Sequence, residues 1–501
     1  MAASQPTDTA TNTSLQRSLK GRHLNMIAIG GAIGTGLFVA SGETISTAGP
    51  GGALAAYALI GVMVFLLMQS LGEMATYMPV AGSFEEYGTR FISPSFGFAL
   101  GWNYWYNWAI TVAAELAAAS LVMRYWLPDV PAWIWSAIFL AILFGINALS
   151  AGAYGEGEFW FASIKVVTVL VFLAVGLLII VGIIRSGGEA ISYTPHAPFA
   201  NWHTGEAPFV NGFFGMVSVF MIAGFSFQGT ELVGVAAGEA ADPEKALPRA
   251  IRTIFWRILL FYIGAIAVIG FLIPYTAPEL LNPSSDISIS PFTLVFRNAG
   301  ILAAASIMNA VILTSVLSAG NSGLYASTRM LYALAKSGKA PAVFARTTRR
   351  GVPLVALVAT TLIGAACFLS SLIGDGAAYT WLVSASGLAG FITWLGIAWS
   401  HYRFRRAYLA QGHDVSELPF KASFYPAGPI VAMVMCAIVI VGQAQGFITG
   451  EDHDPITLLS SFIGLPLFLA VWWGHKLVTR APAVEAANAD LTRYVTTSEN
   501  R

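Results

Sequence analysis

Charged residues are scarce in this sequence. Only 10% of its 501 residues are Asp, Glu, Lys or Arg, whereas 56% are hydrophobic, and soluble domains carry about 25% charged residues. A soluble chain of this composition has too little polar surface to cover its apolar side chains, so we expect a polytopic membrane protein. The 26 basic and 26 acidic residues cancel, and this balance gives no reason to expect a nucleic-acid partner.

Cysteine is scarcer still. Cys367 and Cys436 both lie within apolar runs, and they provide neither a disulfide framework nor the spacing of a metal site. The polar N-terminal segment shows no signal-peptide pattern before the first apolar run. Because the sequence also contains no P-loop, Ser/His/Asp or metal-ligand pattern, we expect no enzyme activity, no metal and no cofactor.

Long apolar runs are what the sequence has in abundance. A hydrocarbon core of ~30 Å needs about 20 apolar residues per helix. Twelve runs of about this length or longer predict membrane spans, near residues 24–44, 51–78, 96–124, 132–151, 158–184, 211–238, 253–274, 293–333, 353–373, 377–402, 425–447 and 456–477.

The basic residues predict the orientation of these spans. With twelve spans and both termini inside, only Arg124, Arg185 and Arg297 fall on the external side. The others, apart from Lys165 within the fifth run, fall in tails, internal loops or internal helix ends, as the positive-inside rule requires. We therefore predict a multi-pass protein of the bacterial cytoplasmic membrane, with cytoplasmic tails at 1–20 and 481–501. Residues 1–14 and about 481–501 are expected to be flexible.

Two matching interruptions occur five spans apart. The first run contains GGAIGTGLF, with Gly-Thr-Gly at 34–36, and the sixth contains FSFQGTELVG, with Gly-Thr-Glu at 229–231. Five is odd, so a second copy of a five-helix unit would be inserted upside down, and paired breaks are typical of inverted-repeat transporters. A single glycine pair more often indicates close helix packing. The matched pair instead favours a site where freed N–H groups bind a carboxylate and freed carbonyls bind an ammonium.

Several segments, in order along the chain, resemble the amino acid transporter branch of the amino acid–polyamine–organocation permeases. They include LKGRHLNMIAIGGAIGTGLF, FSFQGTELVGVAAGEA and SAGNSGLYASTRMLYALAKSGKAP. The resemblance spans about residues 15–480 and implies an all-α fold of twelve transmembrane helices, with a leucine-transporter-like inverted repeat and broken helices 1 and 6. Its repeats would occupy 21–202 and 203–404, with two peripheral helices at 405–480. FWFASIKVVTVLVF and GWNYWYNW are most similar to bacterial lysine-specific permeases.

The breaks and the resemblance together predict a substrate site. Tyr104, Trp108 and Glu115 are spaced by four and seven residues and share one helical face, so the rings could cover an aliphatic chain while Glu115 pairs with an ammonium. Packing is an equal alternative for the two rings, and Phe225 is either a lid or a core side chain. The expected substrate-binding residues are Ile33, Gly34, Thr35, Gly36, Tyr104, Trp108, Glu115, Phe225, Gly229, Glu231 and Glu239.

The remaining acidic residues within the spans have bracing alternatives. Lysine permeases carry a glutamate at the motif position of Glu231, but permeases for uncharged amino acids share this motif, so a gate or a structural hydrogen bond is equally favoured. Glu239 lies about 12 Å further along a helix, where pairing with loop arginines is favoured. Glu43 and Glu73 lie in the first two spans, where each could brace neighbouring helices.

Lys165 is the candidate for proton coupling. It lies about a third of the way along the fifth span, and burial disfavours the charged form of a lysine, which makes proton release feasible. The resemblance implies that its ammonium replaces the ion of sodium-coupled relatives, and that Ser318 and Asn321 accept hydrogen bonds from it. The alternative is a permanent ion pair that only braces helices.

These observations predict a secondary active transporter that imports L-lysine with protons by alternating access. Its expected partners are an amino acid, protons and the lipid bilayer. Arginine, an aromatic amino acid and GABA remain alternative substrates. An alternative of another class is a membrane sensor that binds an amino acid and signals to an unknown regulatory membrane partner.

Overall fold

The described part of the chain is helical. A computed structural model describes residues 19–30, 33–80, 82–149, 151–184, 199–240, 242–280, 290–300, 302–369, 371, 374–443 and 462–493. Its helices are α1 Gly21–Gly30, α2 Thr35–Phe38, α3 Ser41–Tyr77, α4 Phe84–Phe91, α5 Pro94–Met123, α6 Ala132–Asn147, α7 Ala151–Ile180, α8 Gly212–Ser218, α9 Phe220–Phe227, α10 Leu232–Ala236, α11 Pro243–Arg257, α12 Gly264–Leu272, α13 Pro291–Asn298, α14 Leu302–Lys336, α15 Leu354–Gly364, α16 Asp375–Ala410, α17 Ala427–Gly442 and α18 Gly464–Thr479. Within these residues the only β-type pairing is an isolated bridge between Leu19 and Ala240, which confirms the all-α class.

Several of these helices are long and apolar enough to cross a membrane. In the described residues there are seven: Ser41–Tyr77, Pro94–Met123, Tyr154–Ile180, Gly212–Ala236, Pro243–Leu272, Ala303–Lys336 and Trp381–Ala410. Shorter apolar helices occupy Ala132–Asn147, Leu354–Leu369 and Ala427–Gly442. The polytopic class is confirmed, whereas the count of twelve spans remains a prediction.

The outer surface of the bundle is apolar. Trp160, Phe213 and Leu362 are 62%, 67% and 70% exposed, and they belong to a larger set of exposed aromatic and aliphatic side chains. Soluble monomers rarely expose contiguous apolar patches larger than a few hundred Å². An exposed apolar surface of this kind is typical of a membrane protein, in agreement with the polytopic class.

The first predicted span is broken as expected. α1 ends at Gly30 and α2 begins at Thr35, while Gly34 between them is extended, with φ −137° and ψ −148°. The chain then continues into α3, which contains a sharp turn at Gly49 with φ 72°. This conformation is disfavoured for residues with a side chain, and it separates the end of the first span from the second.

The sixth predicted span is broken at the corresponding place. α9 ends at Phe227, and Gln228 leaves the helical region with ψ 145°. Gly229 follows with φ 93°, which glycine adopts without steric cost. α10 resumes at Leu232. Both interruptions read from the Gly-Thr motifs are confirmed.

α5 lies at the centre of the bundle. Of the residues in its most apolar 18-residue stretch, 83% are buried, against 33% for the corresponding stretch of the helix at Tyr154–Ile180. α14 and α16 pack on α5 over much of its length. The central position explains why α5 supplies buried polar groups, while most of the surface of α7 is exposed.

The end of the chain differs from the prediction. The C-terminal segment, residues 481–493, is folded across the loop end of the bundle: Val484 N donates to the carbonyl of Ile92 at 2.9 Å, and Tyr77 donates to the carbonyl of Leu491 at 3.1 Å. Further bonds join Gln411 to Ala489, Arg403 to Val484, Arg90 to Asp490 and Arg493 to Glu244. The prediction of a flexible tail is wrong for these residues, because tertiary partners satisfy their polar groups; residues 494–501 lie outside the described part.

Candidate functional site

The two broken helices cross at their interruptions. A Cβ atom on Gly36 would lie 2.5 Å from Cα of Ser226, so the backbones of the first and sixth spans touch there. Tyr57 ties them together, since its hydroxyl lies 2.8 Å from Ser226 Oγ and 3.5 Å from the carbonyl oxygen of Gly36. The crossing juxtaposes the two Gly-Thr motifs that the sequence places almost 200 residues apart.

A small cavity lies at this crossing. Its volume of about 10 Å³ holds about one water molecule, so an amino acid can enter only after the helices move apart. The cavity is lined by Gly34, Gly36, Trp108, Thr111, Glu115, Phe225, Gln228 and Ala319. Five of these residues were predicted as substrate-binding, and Thr111, Gln228 and Ala319 were missed. Gln228 directly precedes the Gly-Thr motif of the sixth span, and that position is the signal that could have identified it.

Glu115 faces the first break. Its side chain is buried, Oε1 accepts a hydrogen bond from Thr35 Oγ1 at 3.2 Å, and a Cβ on Gly34 would lie 2.8 Å from the same oxygen. The other oxygen, Oε2, has no hydrogen-bond partner within the residues that the structure describes. A buried carboxylate with an unused oxygen at the cavity wall can accept a hydrogen bond from an ammonium group.

Glu231 is instead engaged by donors of the protein. Trp394 Nε1 donates to Oε2 at 3.1 Å, and the N–H of Gly229 lies 3.3 and 3.2 Å from the two oxygens. Tyr104 donates to Oε1 at 3.5 Å. The Glu231 carboxylate therefore accepts a hydrogen bond from the backbone of its own break. This geometry matches a structural hydrogen-bonding role for Glu231.

A buried arginine stands beside this break and was missed from the sequence. Arg257, at the end of α11, donates from Nη2 to Thr230 Oγ1 at 2.5 Å, and Thr230 donates to the carbonyl of Phe227 at 2.6 Å. Arg257 also interacts electrostatically with Glu231. Its position as an isolated charge inside the apolar run 253–274 is the signal that could have identified it.

Lys165 lies in a buried charged cluster. Its Nζ is 3.9 Å from Glu158 Oε1, and both side chains are 0% exposed. Ser318 donates to Glu158 Oε2 at 2.8 Å, and Lys165 also interacts electrostatically with Glu115. Glu158 was missed, although its spacing of seven residues from Lys165 places both on one face of α7.

Asn321 has a different partner from the one expected. Its Oδ1 accepts from Asn147 Nδ2 at 2.7 Å, which joins α14 to α6. Ser318 reaches the cluster of Lys165 through Glu158 rather than as the expected acceptor. On α14, Ser318 therefore bonds α7, whereas Asn321 bonds α6.

The other predicted residues are spread around the crossing. Ile33 is buried next to Gly34, and Phe225 lines the cavity at the end of α9. The ring of Tyr104 contacts those of Phe84 and Trp108 at centroid distances of 4.7 and 6.4 Å. The side chain of Glu239 lies outside the described part of the chain.

Glu73 braces helices, as its alternative interpretation stated. It accepts from Arg405 Nε at 2.6 Å and from the backbone N–H of Ala422 at 2.6 Å, and His401 Nε2 lies at 3.2 Å. These contacts join α3 to α16 and to the loop that precedes α17. Both oxygens of Glu73 are therefore already bonded to neighbouring groups, and none is left for a ligand.

Sequence comparisons agree with this geometry. A family model described as amino acid permease matches residues 23–487. The chain belongs to this family. Members of the family are transporters within the amino acid–polyamine–organocation superfamily, and the resemblance read from the broken helices is confirmed.

Individual relatives cover nearly the whole chain. The lysine-specific permease LysP of Escherichia coli (strain K12) is 58% identical over 473 residues, or 94% of this chain and 95% of the relative. LysP of Lactococcus lactis subsp. cremoris (strain MG1363) is 51% identical over 494 residues, covering 97% and 95%. The histidine permease HisP of the same strain is 49% identical over 479 residues, covering 96% and 98%.

Proposed function

We propose that this permease imports L-lysine, driven by protons, across the bacterial cytoplasmic membrane. Two relatives at 58% and 51% identity are named lysine-specific permeases, and the buried cavity offers a carboxylate suited to a cationic side chain. Transport proceeds by alternating access, with both termini in the cytoplasm. The steep asymmetry of Lys and Arg supports this orientation.

The observation that carries the proposal is the crossing of two broken helices beside Glu115. Amides around Gly34, Thr35 and Gly36 bind the substrate carboxylate, and freed carbonyls of both breaks bind the α-amino group. The side-chain ammonium pairs with Glu115. We assign this pairing to Glu115 rather than Glu231, because Glu231 already accepts hydrogen bonds from Trp394 and the backbone.

The proposed architecture is twelve spans in two inverted five-helix repeats, at residues 21–202 and 203–404, followed by two peripheral helices at 405–480. The matched breaks support it, because paired interruptions in corresponding helices are typical of inverted-repeat transporters. The odd number of helices in each repeat accounts for the opposite insertion of the second copy.

Lys165 carries the coupling proton in this proposal. Protonation and deprotonation of its side chain bias the outward and inward states, which supplies the differential interaction that a coupling ion requires. Its approach to Glu158 and its electrostatic interaction with Glu115 support the assignment, because Glu115 also accepts a hydrogen bond from Thr35 in the first break. A proton site and a substrate site therefore share one carboxylate.

The test is uptake of labelled lysine into proteoliposomes with and without an imposed pH gradient. We expect accumulation with an acidic exterior and its loss when a protonophore collapses the gradient. Unlabelled arginine, histidine, an aromatic amino acid and GABA compete in parallel to define the substrate. Binding of lysine without gradient-driven accumulation would instead favour the sensor, and strong competition by histidine alone would reassign the substrate.

A further inference from the structure

Glu158 and Lys165 form a pair of opposite charges inside the bundle. Both side chains are fully buried, and 3.9 Å separates Nζ of Lys165 from Oε1 of Glu158. Burying an isolated ionised group is far more costly than burying a paired one. The ammonium form of Lys165 therefore depends on a carboxylate close to it.

The position of Glu158 is fixed from a neighbouring helix. Ser318 on α14 donates to Oε2 at 2.8 Å, which leaves Oε1 directed towards Lys165. A hydrogen bond to a carboxylate stabilises its ionised form. Ser318 therefore fixes the position of the carboxylate beside Lys165.

Glu115 is the second carboxylate in electrostatic contact with Lys165, but it has another task. It lines the cavity and accepts from Thr35 at the first break. Once a cationic substrate pairs with Glu115, Glu158 is the carboxylate that remains to balance Lys165. Two carboxylates and two ammonium groups then make the buried cluster neutral.

Within the described residues, two basic side chains of α1 bond the start of α7. Arg22 and His23 of α1 bond Glu156 at the start of α7, at 2.6 and 3.1 Å. Other contacts of α7 among the described residues join Tyr154 to Ser322 of α14, Gly176 to Val268 of α12, and Phe172 to Phe292 of α13. Tyr154 also stacks on Tyr325 of α14, whose ring lies under the guanidinium of Arg329.

We propose that Glu158 is the dedicated counter-ion of Lys165 and sets the pH range over which transport is coupled to protons. The inference rests on the proposed function, in which Lys165 carries the transported proton. Glu158 is a positioning residue here: it touches neither substrate nor the cavity, and it acts by favouring the protonated form of Lys165 while substrate occupies Glu115.

The experiment compares Glu158→Gln with wild type in proteoliposomes. Lysine–lysine exchange at equal pH on both sides reports folding and substrate binding, and accumulation under a pH gradient, measured over a range of external pH, reports coupling. An opposite charge within ~4–6 Å changes a proton equilibrium by about 1–3 units. We therefore expect exchange to persist, while the pH profile of accumulation moves to more acidic values by about one unit or more, lowering accumulation near neutral pH about tenfold.

Glu156→Gln is the matched control. It removes the same charge two residues away on α7, where Glu156 is partly exposed and bonds Arg22, and we expect a wild-type pH profile. If Glu158→Gln abolishes exchange, the test uses Glu158→Asp instead. Because Asp keeps the charge but is one methylene shorter, the pH profile of accumulation should shift less, in the same acidic direction.

The outcomes separate the two proposals. A wild-type pH profile in Glu158→Gln, or in Glu158→Asp where Gln is inactive, overturns the role of Glu158 while gradient-driven uptake by wild type stands. Absence of gradient-driven uptake by wild type overturns proton coupling itself, whatever the variants do.

Discussion

Gly36 shows how one residue type decides the geometry of the site. Its missing side chain lets the first span approach Ser226 so closely that a Cβ would lie 2.5 Å from Cα and 2.8 Å from the backbone nitrogen. Backbone atoms cannot give way as the end of a flexible side chain can. The contact that brings the two breaks together therefore requires glycine at position 36.

We expect Gly36→Ala to reduce lysine uptake by about tenfold or more, because overpacking of a tight interior costs about 1–3 kcal/mol and 1.4 kcal/mol is a factor of ten. Gly145→Ala is the control, since a Cβ at Gly145 meets nothing within 4 Å. Initial uptake rates, normalised to protein in the membrane, measure the effect. Equal rates for the two variants would contradict the close crossing.

The two buried glutamates at the breaks differ in what surrounds them. Glu231 accepts from Trp394 and the N–H of Gly229, whereas one oxygen of Glu115 faces the cavity without a partner among the described residues. In the proposed function, the free acceptor of Glu115 therefore selects the substrate, and the engaged carboxylate of Glu231 holds the local structure.

Glu115→Gln is therefore expected to weaken discrimination between lysine and norleucine, which differ by the terminal ammonium. A hydrogen bond to a charged group contributes about 1.5–3 kcal/mol, or roughly a 10- to 100-fold change in the ratio of inhibition constants. Competition against labelled lysine measures the ratio. Glu231→Gln is the comparison: it should lower thermal stability and leave the ratio unchanged, and the reverse pattern would transfer the ammonium site to Glu231.

At the scale of elements, the C-terminal segment joins parts of the chain that are remote in sequence. Val484 bonds the residue after α4, Leu491 bonds the end of α3, and Arg493 pairs with Glu244 of α11 at 2.8 Å. These bonds attach the segment to the ends of α3 and α4 and to α11. The segment contributes to stability although it crosses no apolar layer.

Truncation after Arg480 is expected to lower the melting temperature in detergent by about 2 °C or more, since each lost hydrogen bond contributes about 0.5–1.5 kcal/mol and about 1 kcal/mol shifts the midpoint of a large domain by ~2–4 °C. Truncation after Arg493 keeps every contact described above and is the control. Identical melting curves for the two truncations would show that the docked segment adds no stability.

For the whole molecule, the distribution of Lys and Arg predicts which loops face the cytoplasm. Glu206 lies in the exposed loop before α8, and Ser416 in the exposed loop between α16 and α17. With both termini inside, these loops lie on opposite sides of the membrane. The native Cys367 and Cys436 are 0% exposed, so an added cysteine can be labelled against a low background.

In intact cells we expect a membrane-impermeant maleimide to label Glu206→Cys at least about tenfold faster than Ser416→Cys, because ionised reagents cross the hydrocarbon core slowly. Labelling of Ser416→Cys should appear once the cells are permeabilised, and this recovery is the internal control. Fast labelling of Ser416→Cys before permeabilisation would overturn the predicted orientation.

Local chemistry accounts for what could be predicted from the sequence. Helix breaks at 34–36 and 229–231 follow from glycine and from the cost of leaving backbone groups unpaired in lipid, so they are visible in two short motifs. Glu158 was equally visible, because a carboxylate seven residues from Lys165 lies on the same face of one helix. Ser318 and Asn321 were assigned one common neighbour, yet α14 turns them towards different helices.

By itself, the sequence determined the class of the protein, the apolar spans, the two broken helices and the family, because hydrophobic length and backbone hydrogen bonding act within one segment. Only the tertiary structure decided that Glu115 faces the cavity, while Glu231 accepts a hydrogen bond from Trp394. It also decided that Arg257 lies beside the sixth-helix break and that residues 481–493 pack on the bundle. Each of these findings depends on contacts between segments far apart in the chain. The free energy of such a contact depends on both residues and their relative positions, which neither segment specifies alone.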